Sequence, residues 1–162
     1  MLLFWVPAPL HRALLRLAQP VRLRIWGLLG REVRGCGVLA FDPQGRLLLV
    51  RHSYHEPERW LLPGGGLARG EDPARTGARE LAEETGCLLA GASWIATDLR
   101  TMPGGWRNRI ELVTGQTGGV PRPDGREIAE AAFFNLDALP EATGTTVHGS
   151  LAIWRKCGNS EG

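Results

Sequence analysis

Apolar and polar positions divide this chain into stretches of different period. In "REVRGCGVLAFD" and "RLLLV" the apolar residues form short, nearly continuous blocks on either side of "PQG", which predicts two strands joined by a hairpin turn. The polar loop "RHSYHEPERW" leads to "WLL", read as a further short strand. "PGGG" follows, where glycine alone tolerates a sharp turn with positive φ. Asp72 then suits an N-cap, Pro73 the first helical position and Gly86 the C′ position, so a helix is expected over about residues 73 to 85. "ASWIATDLRT", "NRIELVTGQT" and "IAEAAFFNL" are strand candidates, separated by the loops "TMPGGW" and "GGVPRPDGRE", and "TTVHGSLAIWRK" predicts a closing helix. Strands mixed with two main helices imply α/β or α+β layers.

The first 30 residues are apolar, yet Pro7 and Pro9 interrupt the leading apolar run and no positive segment precedes it, which argues against a secretory leader. The uncharged stretch ends at Arg12, far short of a membrane span. Leu10, Leu14, Leu17 and Val21 instead fall at the spacing of an amphipathic helix, expected to pack on the domain or on a second subunit in a homodimer. A membrane-surface or nucleic-acid role is the alternative for this arm.

The length of 162 residues fits one domain, and 43% hydrophobic with 22% charged residues excludes disordered and fibrous classes. Cys36, Cys87 and Cys157 form no C-x-x-C pair, so a reduced, cytoplasmic setting is expected, with Cys87 as a small buried hydrophobe. Lys156 is the single lysine among 19 Lys and Arg residues. Arginine grips phosphate bidentately, but a bias of codon usage is the stronger explanation of the excess, and the count alone marks no phosphate ligand.

The predicted helix changes the picture. Glu80, Glu83 and Glu84 share one arc, opposite Ala74, Ala78, Leu81, Ala82 and Thr85. Each like-charge pair there costs about 0.2–0.5 kcal/mol, and negative charge in the last turn opposes the helix dipole by about another 0.3–1 kcal/mol. Arg79 pairs with Glu83 at i,i+4 and relieves part of this. A solvated acidic face is one reading; the other, favoured by the glycine-rich lead-in, is a hard divalent cation that handles phosphates.

The stretch from Gly65 to Cys87 resembles the signature of the Nudix hydrolase family, G-x5-E-x7-R-E-U-x-E-E-x-G-U, at Gly65, Glu71, Arg79, Glu80, Leu81, Glu83, Glu84 and Gly86. Cys87 stands where Ile, Leu or Val is usual. "WLLPGGG" and "AAFFNLDALP" resemble the family's entry loop and late strand with its short helix. The resemblance implies an α/β/α sandwich with a mixed sheet between helices. It divides the chain into an arm over 1–32, the catalytic domain over 33–157 and a tail over 158–162. It implies Mg²⁺ (or Mn²⁺) on Glu80, Glu83, Glu84 and the Gly64 carbonyl, Arg79 orienting Glu83, and Glu71, with Gly65 and Gly86, supporting the motif. Glu80, or an outside residue, Glu127 or Glu130, would be the base.

The implied substrate is a nucleoside diphosphate linked to another moiety, first ADP-ribose or a nucleotide sugar. Pro103, sixteen residues after Cys87, resembles a marker of ADP-ribose-cleaving members. A modified nucleoside triphosphate and an RNA 5′ end are the enzymatic alternatives, and a non-catalytic nucleotide sensor the alternative of another class. Arg51, Arg107 and Arg109 are candidate phosphate contacts, the last two on one strand face. Trp106 is the candidate exposed stacking residue; Trp60 and Tyr54 are weaker candidates, with Trp60 expected in the core. His52 and His55 receive no role.

Overall fold

The structure, a computed structural model, describes residues 32–53, 56–102 and 105–158. The N-terminal arm, Tyr54, His55 and Pro103 lie outside the described residues. Seven elements follow in the expected order: β1 (Glu32–Phe41), β2 (Leu47–His52), α1 (Pro73–Thr85), β3 (Ala90–Thr101), β4 (Arg107–Gln116), β5 (Ile128–Phe134) and α2 (Thr145–Gly158). The sheet order is β3-β4-β1-β2-β5, with β1 and β4 parallel and the other pairs antiparallel.

The continuous apolar runs of β1 and β2 are explained by burial on both faces. Alternation sends Val38 and Ala40 toward α1, where they meet Leu48, Leu81 and Cys87. Leu39 and Phe41 point the other way, to Leu47, Leu49 and the α2 residues Val147 and Leu151. Trp154 of α2 adds a ring contact with Phe41 at 4.7 Å. Two helices thus cover opposite faces of a mixed sheet, the three-layer arrangement the sequence implies, and Cys87 is buried as expected. Trp60 packs against the α2-side core and stands edge-on to Phe134 at 4.7 Å.

Helix α1 has the expected bounds because its ends are chemically fixed. Asp72 Oδ1 accepts from the amides of Ala74 and Arg75 at 2.8 and 3.4 Å, and Gly86, at φ 69°, donates to the Ala82 carbonyl. No described helix is long and apolar enough to cross a membrane.

The "WLL" stretch departs from expectation. It forms isolated bridges, Val50 with Leu61 and Trp60 with Thr143, instead of a strand. The reason is the geometry of the first hairpin: β1 and β2 pair only at Phe41 and Leu47, beside the turn, and then diverge. Residues 61–67 cross the gap. Leu61 exchanges two 2.9 Å backbone hydrogen bonds with Val50; farther on, Val38 N–H donates to Pro63 and Cys36 N–H to Gly65, each at 2.9 Å, and Leu67 N–H donates to Arg34 at 3.1 Å. The glycine loop is thereby stitched from β2 to β1 and delivered beneath α1.

Candidate active site

Two glycines of that loop set the position of two carboxylates. Gly64 has φ +150°, and a Cβ built on it would stand 2.1 Å from the Cys36 carbonyl oxygen. A Cβ on Gly65 would stand 2.4 Å from Glu80 Oε2. Only residues without a side chain bring the loop this close to both β1 and α1. The Gly64 amide then donates to Glu84 Oε2 at 3.0 Å.

Burial distinguishes the three glutamates. Glu84 is 8% exposed, so the acidic arc expected to face solvent turns one carboxylate inward, under the loop. Burial pushes its pKa up to about 8; the Gly64 amide lowers it, while the charges of Glu80, Glu127 and Asp124 raise it. Glu80 is also raised, first by burial, with the Arg79 guanidinium opposing and Glu83 and Glu127 adding. The Glu83 side chain is 60% exposed. Arg79 reaches both, at 2.9 Å from Glu80 Oε1 and 3.3 Å from Glu83 Oε2, so it holds Glu80 as well as the Glu83 anticipated from i,i+4 spacing.

Among the described residues no three acidic, His or Cys side chains converge as a ready ligand set. Glu83 turns out to Arg79 and Glu84 in to Gly64. The donor chemistry nevertheless fits a hard divalent cation: the charges of Glu83 and Glu127 act on Glu80, those of Glu80, Glu127 and Asp124 on Glu84, and burial adds to this repulsion in disfavouring the charged forms of Glu80 and Glu84.

Glu71 Oε2 accepts from the Ala68 amide at 2.9 Å, closing the loop before α1. Glu127 is half-buried at the entry to β5, and its carboxylate is felt by both Glu80 and Glu84. Glu130 sits farther along β5, exposed, and pairs with Arg51 at 3.4 Å. Asp124, which spacing did not single out, accepts from the amides of Arg126, Glu127 and Ile128 at 2.9–3.1 Å and donates its own N–H to the Glu84 carbonyl at 3.2 Å. The "PDG" turn was the available signal for it.

A cavity of about 260 Å³ opens on the α2 face beside the glycine loop. Leu61, Leu62 and Ile110 supply apolar wall, Asp98, Arg100 and Asn108 the polar side, and Gly64 and Gly65 the boundary with the carboxylates. Arg100 is locked to Asp98, with Nε at 2.8 Å, and reaches the Thr146 carbonyl at 3.4 Å. His52, which received no role from sequence, also lines it.

The four substrate candidates named from sequence are absent from this lining. Trp106 is 9% exposed: the β3–β4 turn closes through Met102 N–H to the Trp106 carbonyl at 2.9 Å and folds the residue back instead of presenting it. Asn108 and Ile110 face the cavity, so alternation sends Arg107 and Arg109 to the α1 face. Arg109 is paired there with Glu111 at 2.7 Å. Arg51 donates to the Pro57 carbonyl at 3.0 Å and lies over the Trp60 ring at 5.6 Å.

The family model for the NUDIX domain matches residues 31–154. An RNA pyrophosphohydrolase of Rhodospirillum rubrum is 37% identical over 71 residues, covering 41% of this chain and 42% of that protein. An ADP-ribose pyrophosphatase of Mycobacterium tuberculosis is 39% identical over 142 residues, covering 81% and 67%. The chain therefore spans about two fifths of the first relative's length and two thirds of the second's. Among solved structures, a MutT NUDIX hydrolase from Burkholderia pseudomallei superposes with a TM-score of 0.66 at 26% identity, over 75% of this chain and 96% of that one.

Proposed function

Because this chain belongs to the NUDIX domain family, we propose that it hydrolyses the diphosphate of a nucleoside diphosphate linked to another moiety, with ADP-ribose or a nucleotide sugar as the leading substrate. The observation that carries this reading is the shared glycine wall. Gly64 and Gly65 line the cavity and also touch Glu84 and Glu80. A substrate whose organic group occupies the cavity therefore lays its diphosphate across the loop, against the carboxylates.

At about 260 Å³ the cavity falls just under the ~300–1,000 Å³ of drug-sized sites, which suits one sugar- or nucleoside-sized group. Its apolar wall carries no aromatic ring, so recognition rests on shape and on the Asp98–Arg100 pair and Asn108. The likeness to the mycobacterial ADP-ribose pyrophosphatase, over most of the chain, favours the same substrate class.

Glu80, Glu83, Glu84 and the Gly64 carbonyl are the groups that would hold Mg²⁺, or Mn²⁺; such a cation, when bound, neutralises phosphate oxygens and acidifies water. Arg79 keeps Glu80 and Glu83 on the same side of α1. Glu127 takes the proton of the attacking water, since its charge acts on both Glu80 and Glu84. Asp124 fixes the backbone that presents Glu127.

Glu127→Gln is expected to lower kcat about 10²–10⁴-fold with little change in KM, and Glu130→Gln to leave both near wild type. Loss at Glu130 alone would move the role there; full activity in both would assign it to Glu80. The substrate reading is tested by incubating the protein and Mg²⁺ with ADP-ribose, nucleotide sugars, dinucleotides, oxidised dNTPs and 5′-triphosphate RNA, reading products by mass. AMP released from ADP-ribose supports it. Selective RNA turnover selects the RNA 5′-end activity instead, and binding without turnover the sensor.

A further inference from the structure

Among the described residues one buried guanidinium nitrogen has no hydrogen-bond acceptor: Nε of Arg34, in the first half of β1. Its strand neighbours explain why this matters. On the same face, two residues along, lies Cys36; its thiol, raised mainly by burial, also feels Glu80, Glu84 and Arg79, so this face of β1 runs beside the carboxylate site. The Arg34 carbonyl accepts from Leu67 N–H, which ties its backbone to the end of the glycine loop.

Across the parallel ladder Arg34 is in register with Arg109, and Cys36 with Glu111. Two acids share this face: Glu32, two residues before Arg34, is exposed and forms no ion pair with it among the described residues, and Glu111, across the ladder, is saturated. Its Oε1 accepts from Arg109 at 2.7 Å, and its Oε2 from Trp94 Nε1 at 2.8 Å and Thr97 Oγ1 at 2.6 Å. No carboxylate of the described residues forms an ion pair with Arg34; Arg46, Arg51, Arg79, Arg100 and Arg109 each have one, and Arg34 is distinguished from the other described arginines by a buried nitrogen without a partner. A guanidinium fork left without an anion, beside a site that handles anions, is arranged for an external one.

We infer that Arg34 is an anion-binding residue that takes a phosphate group of the substrate on the α1 side of the glycine loop, opposite the cavity that holds the organic group. This rests on the diphosphate-hydrolase reading above. It adds to Arg51, Arg107 and Arg109, the phosphate candidates chosen from sequence, a residue that sequence passed over. The contact is made in ground state and transition state alike, so it acts on binding more than on rate.

The test compares wild type with Arg34→Gln and Arg34→Lys. For a diphosphate substrate, Arg34→Gln should raise KM about tenfold while kcat falls by much less. Binding of inorganic pyrophosphate to the metal-free protein, read by calorimetry, should weaken by a similar factor. Arg34→Lys should recover part of both losses, and added guanidinium ion should partly rescue the Gln variant. Unchanged KM and unchanged pyrophosphate affinity would overturn the inference, as would a Gln variant altered only in melting temperature. If the wild type turns over no diphosphate, the hydrolase reading fails, and pyrophosphate affinity alone still decides Arg34.

Discussion

Glu84→Gln is expected to abolish turnover and, in the same protein, to raise the stability of the metal-free chain at alkaline pH. The two effects share one cause. Glu84 is buried beneath the glycine loop with a pKa of about 8 and, among the described residues, only the Gly64 amide to support its charge. Its carboxyl binds a proton more tightly in the folded chain than in the unfolded one, where the ordinary value is 4.5. That contribution to stability is fully present below pH 4.5 and is lost as pH rises through 8, on the order of a few kcal/mol in the metal-free state. Glutamine keeps the acceptor for Gly64 and cannot ionise. Melting curves in a chelator should therefore converge for the two proteins near pH 4.5 and separate above it, with the variant higher at pH 9. Turnover at neutral pH with Mg²⁺ should fall at least about 10³-fold, the scale on which removing one charge-stabilising group acts. Parallel melting curves would show that Glu84 carries no such burden; retained turnover would remove it from the site.

That tension between function and fold was only half legible in the sequence. The succession of strands along the chain, the two helices and the caps of α1 follow from local chemistry: continuous apolar runs in β1 and β2, a Pro at N1, Asp72 before it and Gly86 after. The signature residues on α1 were legible for the same reason, because helical spacing alone sets which carboxylates share an arc. The burial of Glu84 was not, because it depends on residues 61–67 crossing between β1 and β2, a tertiary event that helical spacing cannot register. The same limit accounts for Trp106 and the arginines. A tryptophan between "PGG" and a strand reads as exposed until the hairpin turn folds it back. Arg109 reads as free until Glu111 is found two residues along on the same face, and Arg34 reads as one surface arginine among 18 others of its charge type until its neighbours are placed.

The glycine loop yields a graded prediction, in which three adjacent substitutions to alanine should differ by mechanism. At Gly66 a Cβ meets nothing within 4 Å, so Gly66→Ala should melt and turn over as wild type does. At Gly65 the Cβ would meet the Glu80 carboxylate, a side-chain end that can swing away. The chain should fold, but Glu80 would leave the position Arg79 holds it in, and kcat should fall about 10²-fold. At Gly64 the obstacle is backbone. The Cβ would lie 2.1 Å from the Cys36 oxygen and 3.1 Å from the Gly37 Cα, on a residue whose φ of +150° an L side chain resists. Relief requires the loop to lift off β1, breaking the Val38–Pro63 and Cys36–Gly65 hydrogen bonds and withdrawing the Gly64 amide that supports Glu84. Gly64→Ala should therefore lose about 3 kcal/mol of stability, the upper part of the range for single strained residues, along with all measurable turnover. Thermal melts and initial rates on the three variants separate the cases. Equal behaviour of Gly64→Ala and Gly66→Ala would mean that the loop does not wedge between β1 and α1, and with it would go the physical reason for placing the two carboxylates where they are.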